Sequence, residues 1–144
     1  MKVFVSGSYS AHTPDGNVIE ILGNMRRGLA ISIQVMQAGH SVFAPWLDFT
    51  FGLIADLPME VYKRNSMDWV RVSDAMLLLD GWRDSAGCRA EALEASLHGV
   101  PTFEAMDDLL NYGKVYDSFQ DHTVKYPVDV VGGDAQASKT LGLI

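Results

Sequence analysis

The chain has 144 residues, of which 48% are hydrophobic, and it carries a formal net charge of −7. This length fits a single domain, and the hydrophobic fraction is enough to fill its core. The acidic charge argues against non-specific binding of DNA or RNA, which needs a basic face, although backbone N–H groups can still hold one small phosphate-bearing ligand.

Three negative features of the sequence predict a cytoplasmic protein with no membrane partner. Cys88 is the only cysteine, so an internal disulfide framework is excluded and a reducing compartment is favoured. The N-terminus starts directly with a strand pattern and lacks the long apolar segment of a signal peptide. No apolar run reaches the roughly 18 residues that a membrane span needs.

Apolar periodicity predicts strands and helices in regular alternation. Short apolar, β-branched runs predict buried strands, and apolar residues at helical spacing predict the helices that follow them. Glycine or proline stands at most of the boundaries, as expected for turns and helix ends. The expected strands are residues 3–6, 40–44, 74–79 and 100–103, and the expected helices are residues 17–38, 58–72, 85–98 and 106–112.

This alternation predicts a Rossmann-like, flavodoxin-like α/β domain, doubly wound, with a mainly parallel sheet of four to five strands and helices on both faces. The domain is expected to span residues 1–113. Residues 8–16 are expected to form a loop, residues 46–57 an irregular and mobile aromatic segment, and Gly23 to mark a break in the first helix. Residues 114–144 are expected to form an extension that either packs on a neighbouring subunit or is partly disordered.

Ligands of open α/β sheets bind beyond the carboxyl ends of the strands, where three segments of this chain meet. One of them contains Ser85 and Gly87 at a predicted helix N-terminus, where free N–H groups and the helix dipole favour an anion. Glu91 follows six residues after Ser85 and can share the inward face of that helix. The simpler alternatives are a solvated glutamate and an ordinary N-cap serine, and Glu94 shows that charge alone does not single out Glu91.

Four blocks of sequence carry a family resemblance: VFVSGSY, AGHSVFAPWL, NSMDWVRVSDAMLLLDGW and SAGCRAEALEASLHGVPTF. Their order and spacing over about residues 2–103 resemble the nucleoside 2-deoxyribosyltransferases and their relatives, the deoxynucleoside 5′-monophosphate N-glycosidases. The resemblance implies that the chain cleaves or exchanges the N-glycosidic bond of a nucleoside or nucleotide, as a hydrolase or a transferase. It also implies a homodimer or homotetramer. No cofactor or metal is expected, since the histidines lack a ligand spacing.

The resemblance implies roles for individual residues. Glu91 falls at the position of the nucleophile, and Asp68 at that of the aspartate that protonates or orients the leaving base. Ser85 and Gly87 match the loop that meets the 5′ end of the sugar, where a serine is typical of the monophosphate hydrolases. We therefore expect Glu91 and Asp68 to flank one sugar in the main pocket. Further substrate contacts are expected from Gly7, Ser8, Tyr9, Trp46 and Trp82.

The sequence departs from the family pattern at two places. Phe4 stands where the family often has a tyrosine that steadies the nucleophile. The loop after the first strand lacks the arginine of the monophosphate hydrolases, and Arg26, Arg27 and Arg83 are the candidates to replace it. The lost tyrosine favours the alternative function, a non-catalytic nucleotide-binding or sensing module on the same scaffold. The joint presence of the other matched residues favours the enzyme.

Overall fold

A computed structural model describes residues 1–9 and 17–120. Two 3₁₀ turns, Pro45–Asp48 and Trp82–Asp84, follow the second and third strands. The strands are β1 (Lys2–Ser6), β2 (Ser41–Phe43), β3 (Ala75–Leu78) and β4 (Thr102–Phe103), and the helices are α1 (Val18–Gln37), α2 (Phe49–Gly52), α3 (Met59–Arg71), α4 (Ala86–Leu97) and α5 (Met106–Gln120).

The four strands form one parallel sheet in the order β2-β1-β3-β4. Val3 of β1 lies opposite Val42 of β2 and Ala75 of β3, so β1 is hydrogen-bonded on both sides. The strand order reverses between β1 and β3, which is the switch point where ligands of doubly wound sheets bind. The predicted doubly wound α/β fold is confirmed.

Alternating residues of the strands build two separate cores, one on each face of the sheet. Val3 and Val5 pack with Val35 of α1 and Leu109 of α5. Phe4, on the opposite face, belongs to a core with Val70 of α3 and Ala95 of α4. Because both faces are covered, the strands are apolar throughout rather than alternating, as is typical of parallel sheets.

Three predicted element boundaries are wrong. Helix α1 runs through Gly23 without a break, with Asn17 as its N-cap. Part of the aromatic segment expected to be irregular forms the first 3₁₀ turn and the single-turn helix α2. Helix α5 continues through Gly113 to Gln120. Gly113 permits close packing inside the helix, since a Cβ there would lie 2.7 Å from Nε2 of the buried His40.

Two predictions concern segments that lie largely outside the described residues. Most of the expected loop at residues 8–16 lies outside the described residues, and so do residues 121–144 of the expected C-terminal extension. Among the described residues, no helix is long and apolar enough to cross a membrane.

Trp46 anchors the turn after β2 in the core, and its ring packs directly against two glycines. The indole is 2% exposed and packs in the core beside α1. A Cβ added at Gly28 of α1 would lie 2.5 Å from Cη2 and Cζ2 of Trp46, and one at Gly7 would lie 3.0 Å from Cζ2. The position of the turn therefore depends on the absence of a side chain at these two positions.

We expect Gly28→Ala to destabilise the fold by about 1–3 kcal/mol, because the new methyl group overpacks a rigid ring, and this outweighs the better helix propensity of alanine. Gly23→Ala on the same helix is the matched control, since a Cβ there meets nothing within 4 Å. The control should gain up to about 1 kcal/mol from helix propensity. Urea denaturation measures both variants, and equal stability of the two would contradict the packing role of Gly28.

Candidate functional site

A cavity of about 770 Å³ opens at the carboxyl edge of the sheet. Its walls come from the segment after β1, the turn and α2 after β2, one side of α3, and the first turns of α4. This is the switch-point position expected for a ligand in a doubly wound sheet, and the volume suits a small molecule. The lining is mostly apolar and includes the side chains of Tyr9, Trp46, Phe49, Leu53, Met59, Tyr62 and Met67.

Glu91 lies on the α4 wall of this cavity, where its carboxylate is largely surrounded by protein. The hydroxyl of Ser6, at the end of β1, donates a hydrogen bond of 2.5 Å to Oε2 of Glu91. Burial raises the pKa of Glu91 to about 7, even though the Ser6 hydrogen bond favours the ionised form. The carboxylate is therefore held in one orientation and titrates close to neutral pH.

The hydroxyl that contacts Glu91 comes from Ser6, and Phe4 does not face the cavity. Phe4 is fully buried in the core and stacks on Phe43 with ring centroids 5.3 Å apart. Ser6 lies two residues further along β1, so its side chain is on the same face but nearer the carboxyl edge. Ser6 was not among the predicted site residues, although strand alternation places it on the face that α4 covers.

The N-terminus of α4 forms a second polar part of the wall. Ser85 caps the helix, and its Oγ accepts a hydrogen bond from the backbone N–H of Cys88 at 3.3 Å. Ser85, Ala86 and Gly87 all line the cavity, so unpaired N–H groups of the first helical turn lie beside it. This arrangement favours a negatively charged ligand group. The thiol of Cys88 is buried, which raises its pKa and disfavours a reactive thiolate.

Six of the expected site residues line the cavity together, and three do not. Those in the wall are Gly7, Tyr9, Trp46, Ser85, Gly87 and Glu91. Ser8, Trp82 and Asp68 are outside the wall. Trp82 instead packs against the core between the sheet and α4. The guanidinium of Arg83 lies over the Trp82 ring, 4.5 Å from its centroid, in a cation–π contact.

Asp68, expected beside Glu91, lies outside the cavity wall that contains Glu91. Its exposed carboxylate accepts a hydrogen bond of 2.6 Å from Arg71 and borders a separate, smaller cavity. The same arginine reaches Glu94 of α4 at 2.6 Å. Arg71 therefore ties α3 to α4 outside the main cavity and holds both carboxylates there.

Apart from Glu91, the charged residues that line the main cavity are different from those expected. Lys63 of α3 is the one cation in the described part of the wall, whereas Arg26, Arg27 and Arg83 are absent from it. Arg83 is instead paired with Glu104 at 2.6 Å. Asp48, at the end of the first 3₁₀ turn, is a second carboxylate in the wall besides Glu91. Among the described residues, no group of three or more His, Cys, Asp or Glu side chains could hold a metal ion.

We expect Ser6→Ala to shift the pH dependence of any reaction that needs ionised Glu91. Losing the hydrogen bond removes an interaction that favours the carboxylate, so the pKa of Glu91 rises further and activity appears only at higher pH. Losing the roughly 1.5–3 kcal/mol of a hydrogen bond to a charged group raises the pKa by about 1–2. Because about half of Glu91 is ionised at pH 7 in the wild type, we expect a loss of about 5- to 80-fold at that pH. A rate–pH profile measures the shift, and a lower rate with an unchanged midpoint would contradict the proposed control of Glu91.

A comparison with family models matches residues 24–103 to a domain of unknown function, DUF4406. Comparisons with curated proteins and with solved structures found no match. The matched segment covers more than half of the chain and runs from within α1 to the end of β4, so it contains Asp48, the cavity face of α3 and Glu91. The chain therefore belongs to the DUF4406 family.

Proposed function

We propose that the chain cleaves the N-glycosidic bond of a nucleoside or nucleoside 5′-monophosphate, with Glu91 as the nucleophile. The observation that carries this proposal is the carboxylate of Glu91 in the cavity wall, oriented by Ser6 and less than two helical turns from the N-terminus of α4. A fixed carboxylate beside an anion-favouring helix end suits a sugar whose 5′ end lies at that helix end and whose C1′ faces Glu91.

The reaction follows the retaining pattern of glycoside hydrolysis. A Glu91 oxygen attacks C1′ and forms an ester, while the C1′–N bond breaks and its electron pair leaves with the base, which takes up a proton. Water then attacks C1′ and gives up a proton, which balances the proton taken up by the base; the ester bond breaks, and the Glu91 carboxylate is released. If a second base attacks in place of water, the product is a new nucleoside, and the protein acts as a deoxyribosyltransferase.

The apolar cavity wall and the polar helix end suit the binding of different parts of the substrate. Aromatic side chains such as Tyr9 and Phe49 offer faces on which a planar base can pack. Ser85, the N–H groups of α4 and Lys63 together favour a phosphate on the sugar. We therefore propose a 5′-monophosphate ahead of the unphosphorylated nucleoside.

We also propose that the protein acts in the cytoplasm as a homo-oligomer. Trp69 and Val72, near the end of α3, and Leu93 and Leu97 of α4 expose large apolar side chains, and a second subunit would cover such surface. Light scattering at micromolar concentration tests this, and a monomer would contradict it.

The activity is tested with a panel of nucleosides, 2′-deoxynucleosides and their 5′-monophosphates, with free base measured by chromatography. Release of base from at least one member supports the proposal, and preference for a phosphorylated member supports the phosphate site. Adding a second base distinguishes transfer from hydrolysis, since only transfer yields a new nucleoside. Binding of a nucleotide without any release of base would instead support a sensing module.

A further inference from the structure

Asp48 is a buried carboxylate in the wall of the main cavity. It ends the 3₁₀ turn after β2, is 8% exposed, and lines the main cavity. Asn65 of α3 donates a hydrogen bond of 3.2 Å from Nδ2 to Oδ2 of Asp48. That amide is its one side-chain partner among the described residues, and no described cation forms an ion pair with it.

The usual reason for an aspartate at this position does not apply. Asp48 is the N-cap residue of α2, yet its side chain makes no capping hydrogen bond. A buried carboxylate without a cation is unfavourable for folding, and burial accordingly raises the pKa of Asp48, with the Asn65 hydrogen bond acting in the opposite direction. Acidic groups kept in such an environment inside a cavity are typical of sites that transfer protons.

Asp48 and Glu91 approach the cavity from different sides. Asp48 follows β2 and Glu91 lies on the helix after β3, and these two strands flank β1. Strands two positions apart in a sheet are separated by roughly 10 Å. A nucleoside between the two walls would have its C1′ at Glu91 and its base toward Asp48.

We propose that Asp48 is the general acid of the site, held by Asn65, and that it protonates the leaving base; this inference rests on the proposed function. As the C1′–N bond breaks, its electron pair goes to the base, and a ring nitrogen or carbonyl oxygen of the base takes the proton of the Asp48 carboxyl. In the second half-reaction, the Asp48 carboxylate accepts a proton from the water that attacks C1′. Both carboxyl groups then return to their starting states.

The test compares two leaving groups on the same sugar, in the wild-type protein and in Asp48→Asn. One substrate is the nucleoside or nucleotide that the wild type cleaves best, and the other carries 4-nitrophenolate, which leaves without being protonated. We compare kcat/KM, which reports only the half-reaction in which the leaving group departs. With the natural base we expect Asp48→Asn to lose about 10²- to 10⁴-fold in kcat/KM, and with 4-nitrophenolate less than about 10-fold. Equal losses on both substrates, or no loss on either, would overturn the assignment.

Two further variants distinguish an error in the proposed function from an error in the role of Asp48. Glu91→Gln should lose both activities, whereas Asp107→Asn, an exposed aspartate on α5, should keep both. If the wild type releases neither base nor nitrophenolate, the proposed function itself is wrong and the role of Asp48 falls with it. If the wild type is active and Asp48→Asn loses both activities equally, only the role of Asp48 is wrong.

Asn65→Ala provides the same test should Asp48→Asn not fold. It keeps the carboxyl group and removes its hydrogen-bond donor. We expect a smaller loss, confined to the natural base, because a misplaced acid affects only the leaving group that needs a proton. An equal effect on both leaving groups would count against the role of Asp48.

Discussion

Glu91→Gln is expected to lower the release of free base by about 10⁴-fold or more, comparable to removal of a nucleophile in other enzymes. The amide has nearly the shape of the carboxylate and can still accept the hydrogen bond from Ser6, so the cavity wall is preserved. It cannot form the ester with C1′. Binding of the nucleotide, measured by calorimetry, should therefore change little while turnover is lost.

Glu94→Gln is the matched control on the same helix. Glu94 lies one turn further along α4, is bound to Arg71 at 2.6 Å, and is absent from the cavity wall. Its substitution should leave base release close to the wild-type rate. Activity retained in Glu91→Gln, or an equal loss in Glu94→Gln, would exclude Glu91 as the nucleophile.

The same Glu91→Gln protein is expected to be more stable than the wild type above neutral pH. The pKa of Glu91 is raised to about 7 in the folded protein, against 4.5 for the ordinary side chain. The folded state thus binds this proton more tightly than the unfolded state does. The resulting penalty is absent below about pH 4.5, grows as the pH rises, and is complete above about pH 7.

The neutral amide never incurs this penalty. At pH 8 we expect Glu91→Gln to exceed the wild type by at most about 3 kcal/mol in the free energy of unfolding, with little difference near pH 4.5. The gain is an upper value because one side of the carboxylate faces the open cavity. Urea denaturation at the two pH values measures it. A Glu91→Gln protein less stable than the wild type at pH 8 would show that the carboxylate is stabilised rather than strained by its surroundings.

Loss of base release and a gain in stability in Glu91→Gln would together identify Glu91 as a residue that is required for the reaction and lowers the stability of the fold. A structural glutamate should lose stability when it is neutralised, and a solvated one should change neither property. Only a buried, functionally required carboxylate predicts lower activity and higher stability from one substitution.

The local pattern of the sequence determined the elements and their order. Continuous apolar runs separated by amphipathic helices predict the four parallel strands, and Ser85 before a helical run predicts the start of α4. Such signals arise from residues a few positions apart, and neighbouring residues control strand and helix formation. The loop residues after the strands were therefore correctly expected to meet at one edge of the sheet.

Which carboxylates enter the site was decided only by tertiary structure. Glu91 and Glu94 are equivalent in the sequence pattern, but Arg71 of another helix holds Glu94 and Asp68 outside the cavity. Ser6 and Glu91 meet although they are 85 residues apart. Asp48 lies in a 3₁₀ turn, which has no extended periodicity to show where its side chain points. The packing of distant elements around Trp46 and β1 set these orientations, and no local pattern contains that information.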